Sequence, residues 1–258
     1  MLIYRFTIIF SYLLFFSCVE TEITPNYEKF VSEIGELNYR ILYPKGFDES
    51  KSYPLTLFLH GIGERGDDNN IQLRYVDKVF LDSENYNKFP SVVIFPQAPL
   101  SDNWSSRILT DNKIRHVFPK DAEPTNSLQL VIQLMDSLSQ KNFIDNKRIY
   151  LTGLSNGAMG SFEMLYNRPE MFASAVLICG GGDPVWANKF AKSTPVWIAH
   201  GAKDKDVYPI LSLKMVEAVI REGGSPKFTL YEDVFHDSWI NVFDDPKFLD
   251  WIFSHTKN

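Results

Sequence analysis

Short, nearly uninterrupted apolar runs recur along the chain and are separated by polar and helical stretches. Runs of this length without polar alternation are typical of strands buried on both faces of a parallel sheet. They occupy residues 55–59, 92–95, 149–151, 175–178 and 196–199. Residues 37–43 instead alternate apolar and polar side chains, which predicts an edge strand.

Helical periodicity appears between these runs. Residues 128–138 place their apolar side chains on one broad face, and Thr125 is a capping candidate just before them. Residues 210–222 repeat this pattern before a Gly-Gly pair, and residues 248–253 form a last amphipathic segment. The alternation predicts a single α/β domain with a mostly parallel sheet and helices on both faces.

The longest segment without clear periodicity runs from residue 97 to about residue 126. Long loops in compact domains are usually functional, and this one leaves a strand end, where ligands gather in open α/β sheets. No insertion is long enough for a large lid domain, so we expect an open cleft.

The N-terminus differs from the rest of the chain. A single charge, Arg5, precedes an apolar run at residues 6–16 that is too short to span a bilayer, which is typical of a secretory signal. Cys18 follows directly and resembles the lipidated cysteine of a bacterial lipobox. Residues 1–18 are therefore predicted as a signal peptide and residues 19–35 as a tether. The protein is expected to be exported, periplasmic or on the cell surface, and lipid-anchored. The alternative is ordinary cleavage near Cys18, which leaves a soluble protein.

Composition excludes some classes of function. The 258 residues carry 26 Lys and Arg against 32 Asp and Glu, a net charge of −6, without a basic cluster, so we expect no nucleic-acid partner. No group of His, Cys, Asp and Glu has metal-ligand spacing, so neither a metal nor another cofactor is expected. With Cys18 lipidated, Cys179 has no partner for a disulfide.

The strongest chemical signal is the pentapeptide Gly-Leu-Ser-Asn-Gly at residues 153–157, which follows a predicted strand and precedes a helical stretch. A serine at such a strand-to-helix turn projects its hydroxyl above the sheet, where it can act as a nucleophile. Ser155 is the predicted nucleophile. The alternative is a glycine-rich connection without a catalytic role.

A serine hydroxyl needs a base, and the chain has five histidines. His236 follows a strand and precedes the last helices, which is the position that this topology gives to its base. His60 and His200 each end an apolar strand before a glycine, which favours a structural role at a turn.

The base in turn needs a carboxylate to orient it. Asp204 and Asp206 both follow the run at 196–199, and Asp204, nearer the strand end, is favoured over Asp206. The order serine, aspartate, histidine is that of α/β-hydrolases.

Negative charge that develops on the substrate oxygen needs hydrogen-bond donors. The backbone N–H of Asn156 is one candidate. Three glycines in residues 60–66 allow a second backbone to approach the substrate, and by position the N–H of Ile62 is favoured over that of Gly63. Trp104, Trp186 and Trp239 are candidates for lining the cleft, although a tryptophan is more often part of a core.

Together these segments resemble the α/β-hydrolase superfamily, and within it the phospholipase/carboxylesterase and polyhydroxybutyrate-depolymerase-like esterases. The resemblance covers residues 37–254 and rests on residues 59–69, 95–99, 153–157, 200–204 and 236–239. It implies a hydrolase domain at residues 36–258, a triad of Ser155, Asp204 and His236, and oxyanion donors at Ile62 and Asn156.

The expected function is cleavage of carboxylic esters, small or attached to polysaccharides as acyl or feruloyl groups. Two alternatives remain. A prolyl-oligopeptidase-like serine peptidase would cleave peptides in a substrate panel. A catalytically inactive glycan-binding surface lipoprotein would fail to react with a fluorophosphonate probe.

Overall fold

The computed structural model describes residues 23–111, 116–121 and 123–257. Its strands are, in chain order, β1 (Asn26–Ser32), β2 (Gly35–Leu42), β3 (Tyr53–Leu59), β4 (Val92–Gln97), β5 (Ile108–Leu109), β6 (His116–Val117), β7 (Ile144–Leu154), β8 (Ser174–Ile178), β9 (Val196–Gly201) and β10 (Lys227–Tyr231). Its α-helices are α1 (Asp77–Phe80), α2 (Ser83–Lys88), α3 (Asn126–Ser139), α4 (Asn156–Asn167), α5 (Ala187–Phe190), α6 (Ile210–Arg221), α7 (Trp239–Phe243) and α8 (Lys247–Phe253).

Within the described residues, eight strands form one sheet in the order β1-β2-β4-β3-β7-β8-β9-β10. The pairs β1/β2 and β2/β4 are antiparallel, and all the pairs from β4 to β10 are parallel. The prediction of a mostly parallel sheet is confirmed. Because these strands are parallel, the carboxyl ends of β3, β7, β8, β9 and β10 lie at the same end of the sheet. The candidate site lies at this end.

Helices cover both faces of the sheet, as predicted. Side chains of α3, α4, α5 and α6 join one buried cluster with Leu55, Leu57 and Leu59 of β3. Side chains of α1, α7 and α8 join a second cluster with Phe58 of the same strand. Since successive side chains of a strand point to opposite faces, the near-continuous apolar character of β3 follows from burial on both sides.

The N-terminal segment corrects one expectation. Residues 19–35 were expected to form a tether, but Asn26–Ser32 pairs with β2 along its whole length and forms the edge of the sheet. Residues 37–43 were expected to be that edge, and β2 is instead the second strand. Most side chains of β1 are exposed, so its sequence carries little apolar periodicity.

The loop between β4 and α3 contains one small element, the two-residue antiparallel pair β5/β6. Across the described ranges no separate lid domain is present, as expected. The described part of the chain also has no helix with the length and apolar character needed to cross a membrane. Cys18 and the predicted signal peptide lie outside the described residues.

Candidate active site

Ser155 lies on a strained turn between β7 and α4. Its φ of 53° and ψ of −117° fall in a region that residues with a Cβ atom rarely adopt. Two glycines make the turn possible. A Cβ atom on Gly153 would lie 2.5 Å from the carbonyl oxygen of Gly157, and one on Gly157 would lie 2.0 Å from the carbonyl oxygen of Leu59. The sequence thus packs the turn directly against the end of β3 and holds Ser155 where β7 ends, with its hydroxyl against His236.

His236 reaches this serine from the loop after β10. Its Nε2 lies 2.9 Å from Ser155 Oγ, and its Nδ1 lies 2.6 Å from Asp204 Oδ2. A carboxylate only accepts hydrogen bonds, so Nδ1 carries the hydrogen and, in the neutral ring, Nε2 is free to accept the serine proton. The ring is therefore held in the tautomer that a general base needs.

Asp204, and not Asp206, contacts the base. Asp204 Oδ1 accepts the backbone N–H groups of Asp206 at 2.9 Å and Val207 at 3.0 Å, which fixes the carboxylate in the turn after β9. Asp206 itself contributes only its backbone N–H and has an exposed side chain. The structure brings the favoured carboxylate to the histidine and leaves the alternative in solvent.

Several donors keep Asp204 ionised. Burial alone would raise the pKa of this carboxyl, but hydrogen bonds from His200 and His236 outweigh burial and hold it well below its usual range. The ionised carboxylate can therefore stabilise a positive charge on His236.

The candidate oxyanion donors lie at the first residues of two helices. Ile62 begins a short 3₁₀ helix, Ile62–Glu64, and Asn156 begins α4. The N–H groups in the first turn of a helix have no carbonyl one turn earlier to bind, so both can donate to a ligand. The Ile62 side chain is partly exposed. Gly63, the second choice, lies one position further into the same turn.

His60 holds the loop that carries Ile62. Its Nδ1 lies 2.6 Å from the carbonyl oxygen of Gly61, and its Nε2 lies 3.1 Å from the backbone nitrogen of Ala98, which donates. Both contacts require a neutral ring with its hydrogen on Nδ1. Burial lowers the pKa of His60 to about 4, which keeps the ring neutral. His60 therefore has the structural role that was expected of it, which is to orient the loop that carries Ile62.

Asn156 also fastens the loop after β4 to the nucleophile helix. Its Oδ1 accepts the backbone N–H of Trp104 at 3.0 Å, and its Nδ2 donates to Asn103 Oδ1 at 3.0 Å. One residue thus presents its backbone N–H near the serine while its side chain fixes the neighbouring loop. The pentapeptide in the sequence does not indicate this second role.

About two turns further along α4, Glu163 makes a second attachment to the same loop. Its Oε1 accepts the Ser105 hydroxyl and the Ser106 backbone N–H, both at 2.7 Å. Burial raises the pKa of Glu163 to about 7, and the bonds from Ser105 and Ser106 only partly oppose this rise. Sequence reasoning missed this residue, for which the signal is an acidic side chain in an otherwise uncharged helix.

The three tryptophans do not share the expected place in the cleft. Trp104 and Trp186 are almost completely buried and belong to the core, which corrects the expectation for both. Trp186 packs against Phe118 and Tyr166. Trp239 is half-buried, and its ring meets the His236 ring edge-on at 5.7 Å between centroids. Its ring therefore contacts the proposed base.

Metal-binding chemistry has no candidate in the described ranges, where no group of three or more His, Cys, Asp and Glu could hold an ion. Cys179, at the end of β8, is fully buried, and burial raises the pKa of its thiol. The expectation that this thiol is inert agrees with its environment.

The sequence matches the phospholipase/carboxylesterase family over residues 48–249. A curated relative, the bifunctional acetylxylan esterase/xylanase XynS20E of Neocallimastix patriciarum, is 27% identical over 184 residues, which are 71% of this chain and 22% of that protein. Poly(3-hydroxyalkanoate) depolymerase C of Paucimonas lemoignei is 34% identical over 99 residues, 38% of this chain and 22% of that protein. This chain thus aligns with about a fifth of the length of each relative.

Among solved structures, one described as a thermostable esterase is 31% identical to this chain, with a TM-score of 0.78. The match covers 90% of this chain and 63% of the other. Because the match covers 90% of this chain, the shared architecture is not limited to the serine turn.

Proposed function

Because this chain belongs to the phospholipase/carboxylesterase family of α/β-hydrolases, we propose that it is a serine carboxylesterase that works through an acyl-enzyme on Ser155. The observation that carries the proposal is the continuous path from Ser155 Oγ through the His236 ring to Asp204 Oδ2, with contacts of 2.9 and 2.6 Å. This arrangement supplies a nucleophile, a base and an orienting carboxylate in the required order.

The reaction proceeds in two steps. Ser155 Oγ attacks the ester carbonyl carbon while its proton passes to His236 Nε2, and the oxygen that becomes negative binds the N–H groups of Ile62 and Asn156. His236 then gives this proton to the departing alcohol as the C–O bond breaks. Water then attacks the acyl-enzyme while His236 takes one of its protons, the bond between the acyl carbon and Ser155 Oγ breaks, and His236 returns the proton to Oγ as the carboxylic acid is released.

Replacement of the nucleophile tests the mechanism. Ser155→Ala removes the attacking oxygen, so we expect ester turnover to fall by about 10⁴-fold or more. A fluorophosphonate probe is expected to label the wild type at Ser155 and to leave the variant unlabelled. Near-normal hydrolysis by Ser155→Ala would exclude this mechanism. Failure of the probe to label the wild type would favour the inactive glycan-binding alternative.

The substrate proposal is an acyl ester carried by a polysaccharide or a small alcohol. The names of two relatives, an acetylxylan esterase/xylanase and a polyhydroxyalkanoate depolymerase, support an ester attached to a polymer. The triad residues follow the carboxyl ends of parallel strands, and the described ranges contain no separate lid domain, which supports access for a long chain.

A panel of purified substrates tests this specificity. Acetylated xylan, a feruloylated oligosaccharide, 4-nitrophenyl esters of increasing acyl length and a prolyl peptide anilide are compared by kcat/KM. We expect the acetylated or feruloylated saccharide to exceed the peptide by at least a factor of about 100, which corresponds to roughly 3 kcal/mol of transition-state discrimination. A peptide preference would instead support the peptidase alternative.

The location is also a proposal. A signal-like N-terminus followed by Cys18 supports export and attachment to a membrane through a lipid, on the periplasmic or cell-surface side. An enzyme placed there would meet polymeric substrates outside the cytoplasm.

A further inference from the structure

Two imidazole rings share one oxygen of the proposed triad carboxylate. Asp204 Oδ2 lies 2.6 Å from His236 Nδ1 and 3.1 Å from His200 Nε2. His236 belongs to the mechanism described above, but His200 does not. The sequence favoured only a structural role at a turn for His200.

The neighbours of His200 determine which of its nitrogens faces the carboxylate as a donor. Its Nε2 lies 2.8 Å from the carbonyl oxygen of Val207, in addition to Asp204 Oδ2. Both oxygens only accept hydrogen bonds, so Nε2 carries a hydrogen. That hydrogen is shared between the carboxylate and the turn that holds it.

The other nitrogen of His200 is anchored to a different part of the fold. Its Nδ1 lies 2.7 Å from Ser212 Oγ, and this hydroxyl lies 3.0 Å from the carbonyl oxygen of Gly180. Ser212 belongs to α6 and Gly180 to the glycine segment after β8. The ring is therefore fixed at both ends, between the carboxylate turn and two neighbouring elements.

Burial separates the roles of the two histidines. The His200 side chain is completely buried, whereas 22% of the His236 side chain is exposed. A substrate can reach His236 but cannot reach His200 without unfolding the turn. Any effect of His200 on the reaction must therefore pass through Asp204.

We propose that His200, held by Ser212, is a positioning residue that aims Asp204 at His236 and takes part of the hydrogen-bonding capacity of Oδ2. This inference rests on the proposed triad. Oδ2 accepts hydrogen bonds from two rings. It therefore stabilises a positive charge on His236 less than a carboxylate with a single imidazole partner would. His200 thereby sets both the direction and the strength of the bond to the base.

Other groups face the pair and must be considered in a pH experiment. Ser155 contacts His236 from the nucleophile turn, and Asp237 follows His236 in its own loop. The Cys179 thiol lies near the charges of Asp204 and Asp237, and burial, followed by the Asp204 charge, raises its pKa. These groups are identical in all the variants below, so their effects on the pH profile are the same in each variant.

Two substitutions of His200 carry the same amide group but differ in how far it extends toward Asp204. A glutamine side chain places its amide near the position of the histidine Nε2, whereas an asparagine side chain reaches only as far as Nδ1. His200→Gln is therefore expected to keep the bond to Asp204, with kcat within about threefold of wild type. His200→Asn is expected to lose this bond and to lower kcat by about 10- to 100-fold with little change in KM.

The pH profile provides the readout that a purely structural role would not move. The acidic limb of kcat/KM reports the pKa of the base in the free enzyme. In His200→Asn, Oδ2 is left to His236 alone, so the carboxylate stabilises the protonated ring more strongly and the limb moves to higher pH. In His200→Gln the limb stays at its wild-type position. Equal limbs in both variants, or equal losses of kcat, overturn the proposal.

Ser212→Ala tests the same inference without altering His200, in case the asparagine variant fails to fold. The ring loses one anchor, and we expect kcat to fall several-fold with an unchanged KM; an unchanged kcat overturns the proposal. Fluorophosphonate labelling of each folded variant separates this outcome from a failure of the esterase assignment. If the wild type itself is not labelled, the proposed function fails. If the wild type is labelled and active but His200→Asn behaves like wild type, only the inference about His200 fails.

Discussion

At the scale of single residues, two carboxylates only two positions apart have opposite roles. Asp204 accepts from His236 at 2.6 Å, whereas Asp206 gives Asp204 only a backbone N–H. Asp204→Asn replaces one acceptor oxygen by a donor and destabilises the positive charge on His236, so we expect kcat to fall by about 10⁴-fold. Asp206→Asn keeps the backbone N–H and is the matched control, expected within about threefold of wild type. Steady-state kinetics with one ester measures kcat of both variants. A comparable loss of kcat in the two variants would contradict the assignment of Asp204 to the triad.

Glu163 connects a single residue to the pH dependence of stability. Its folded-state pKa of about 7 lies above the ordinary value of 4.5, so the folded protein holds this proton more tightly than the unfolded chain. The resulting stability is fully present below about pH 4.5 and is lost as the pH rises to 7. The difference between these two pKa values corresponds to about 3 kcal/mol of unfolding free energy.

Thermal unfolding at a series of pH values measures this contribution. Glu163→Gln keeps acceptors for Ser105 and Ser106 but does not ionise, so its stability should fall less than that of the wild type between pH 4.5 and 7. Glu170→Gln, an exposed change close in sequence, should keep the wild-type slope. A Glu163→Gln curve parallel to the wild-type curve is incompatible with a buried, titrating carboxyl.

At the scale of elements, the nucleophile turn depends on close approach between backbones. In Gly157→Ala the added Cβ would lie 2.0 Å from the carbonyl oxygen of Leu59, so α4 must move away from β3. We expect the free energy of unfolding to fall by about 1–3 kcal/mol or more, as in other overpacked sites. Gly63→Ala is the matched control, since its Cβ would meet nothing within 4 Å and its φ is not positive, so stability should stay within about 0.5 kcal/mol of wild type. Similar denaturation midpoints for the two variants would contradict this view of the turn.

The elements also show what the sequence can and cannot predict. Strands buried on both faces, such as β8, have continuous apolar runs that follow directly from their environment. β1 was missed because its burial comes from one neighbour, β2, and most of its side chains face solvent. Helix α3 was placed to within two residues because Thr125 caps it through the Leu128 N–H. Local signals predict local structure, whereas an edge strand is defined by its partner.

The candidate site shows the same division between local and long-range information. Ser155 could be identified from a local pattern, because the glycines around it are needed by the turn itself. Trp104 and Trp186 could not be placed, because a large aromatic ring suits a cleft and a core equally well and only the packing decides. The contact between His200 and Asp204 was missed for a related reason. The sequence places both after one strand but does not fix the path of the turn between them.

At the scale of the whole molecule, the sheet gathers the site from segments far apart in the chain. Ser155, Asp204 and His236 follow β7, β9 and β10, and Ile62 follows β3. Parallel strands end at one edge, so four loops converge there without any sequence proximity. The chemistry thus depends on the correct order of strands, and a change that weakens the sheet is expected to lower activity and stability together.

The two cysteines give a test of where the whole molecule resides. Cys18 ends the predicted signal peptide, whereas Cys179 is fully buried at the end of β8, so we expect Cys18 and not Cys179 to accept a lipid. In a bacterial host that processes lipoproteins, we expect the wild type and Cys179→Ser to incorporate labelled palmitate and to enter the detergent-rich phase of a phase-separation assay. Cys18→Ser should incorporate no label and move to the aqueous phase with its ester turnover intact, because the site lies in the folded domain. Equal labelling of Cys18→Ser and wild type would exclude lipidation at Cys18, and an unlabelled but secreted wild type would instead support ordinary signal cleavage.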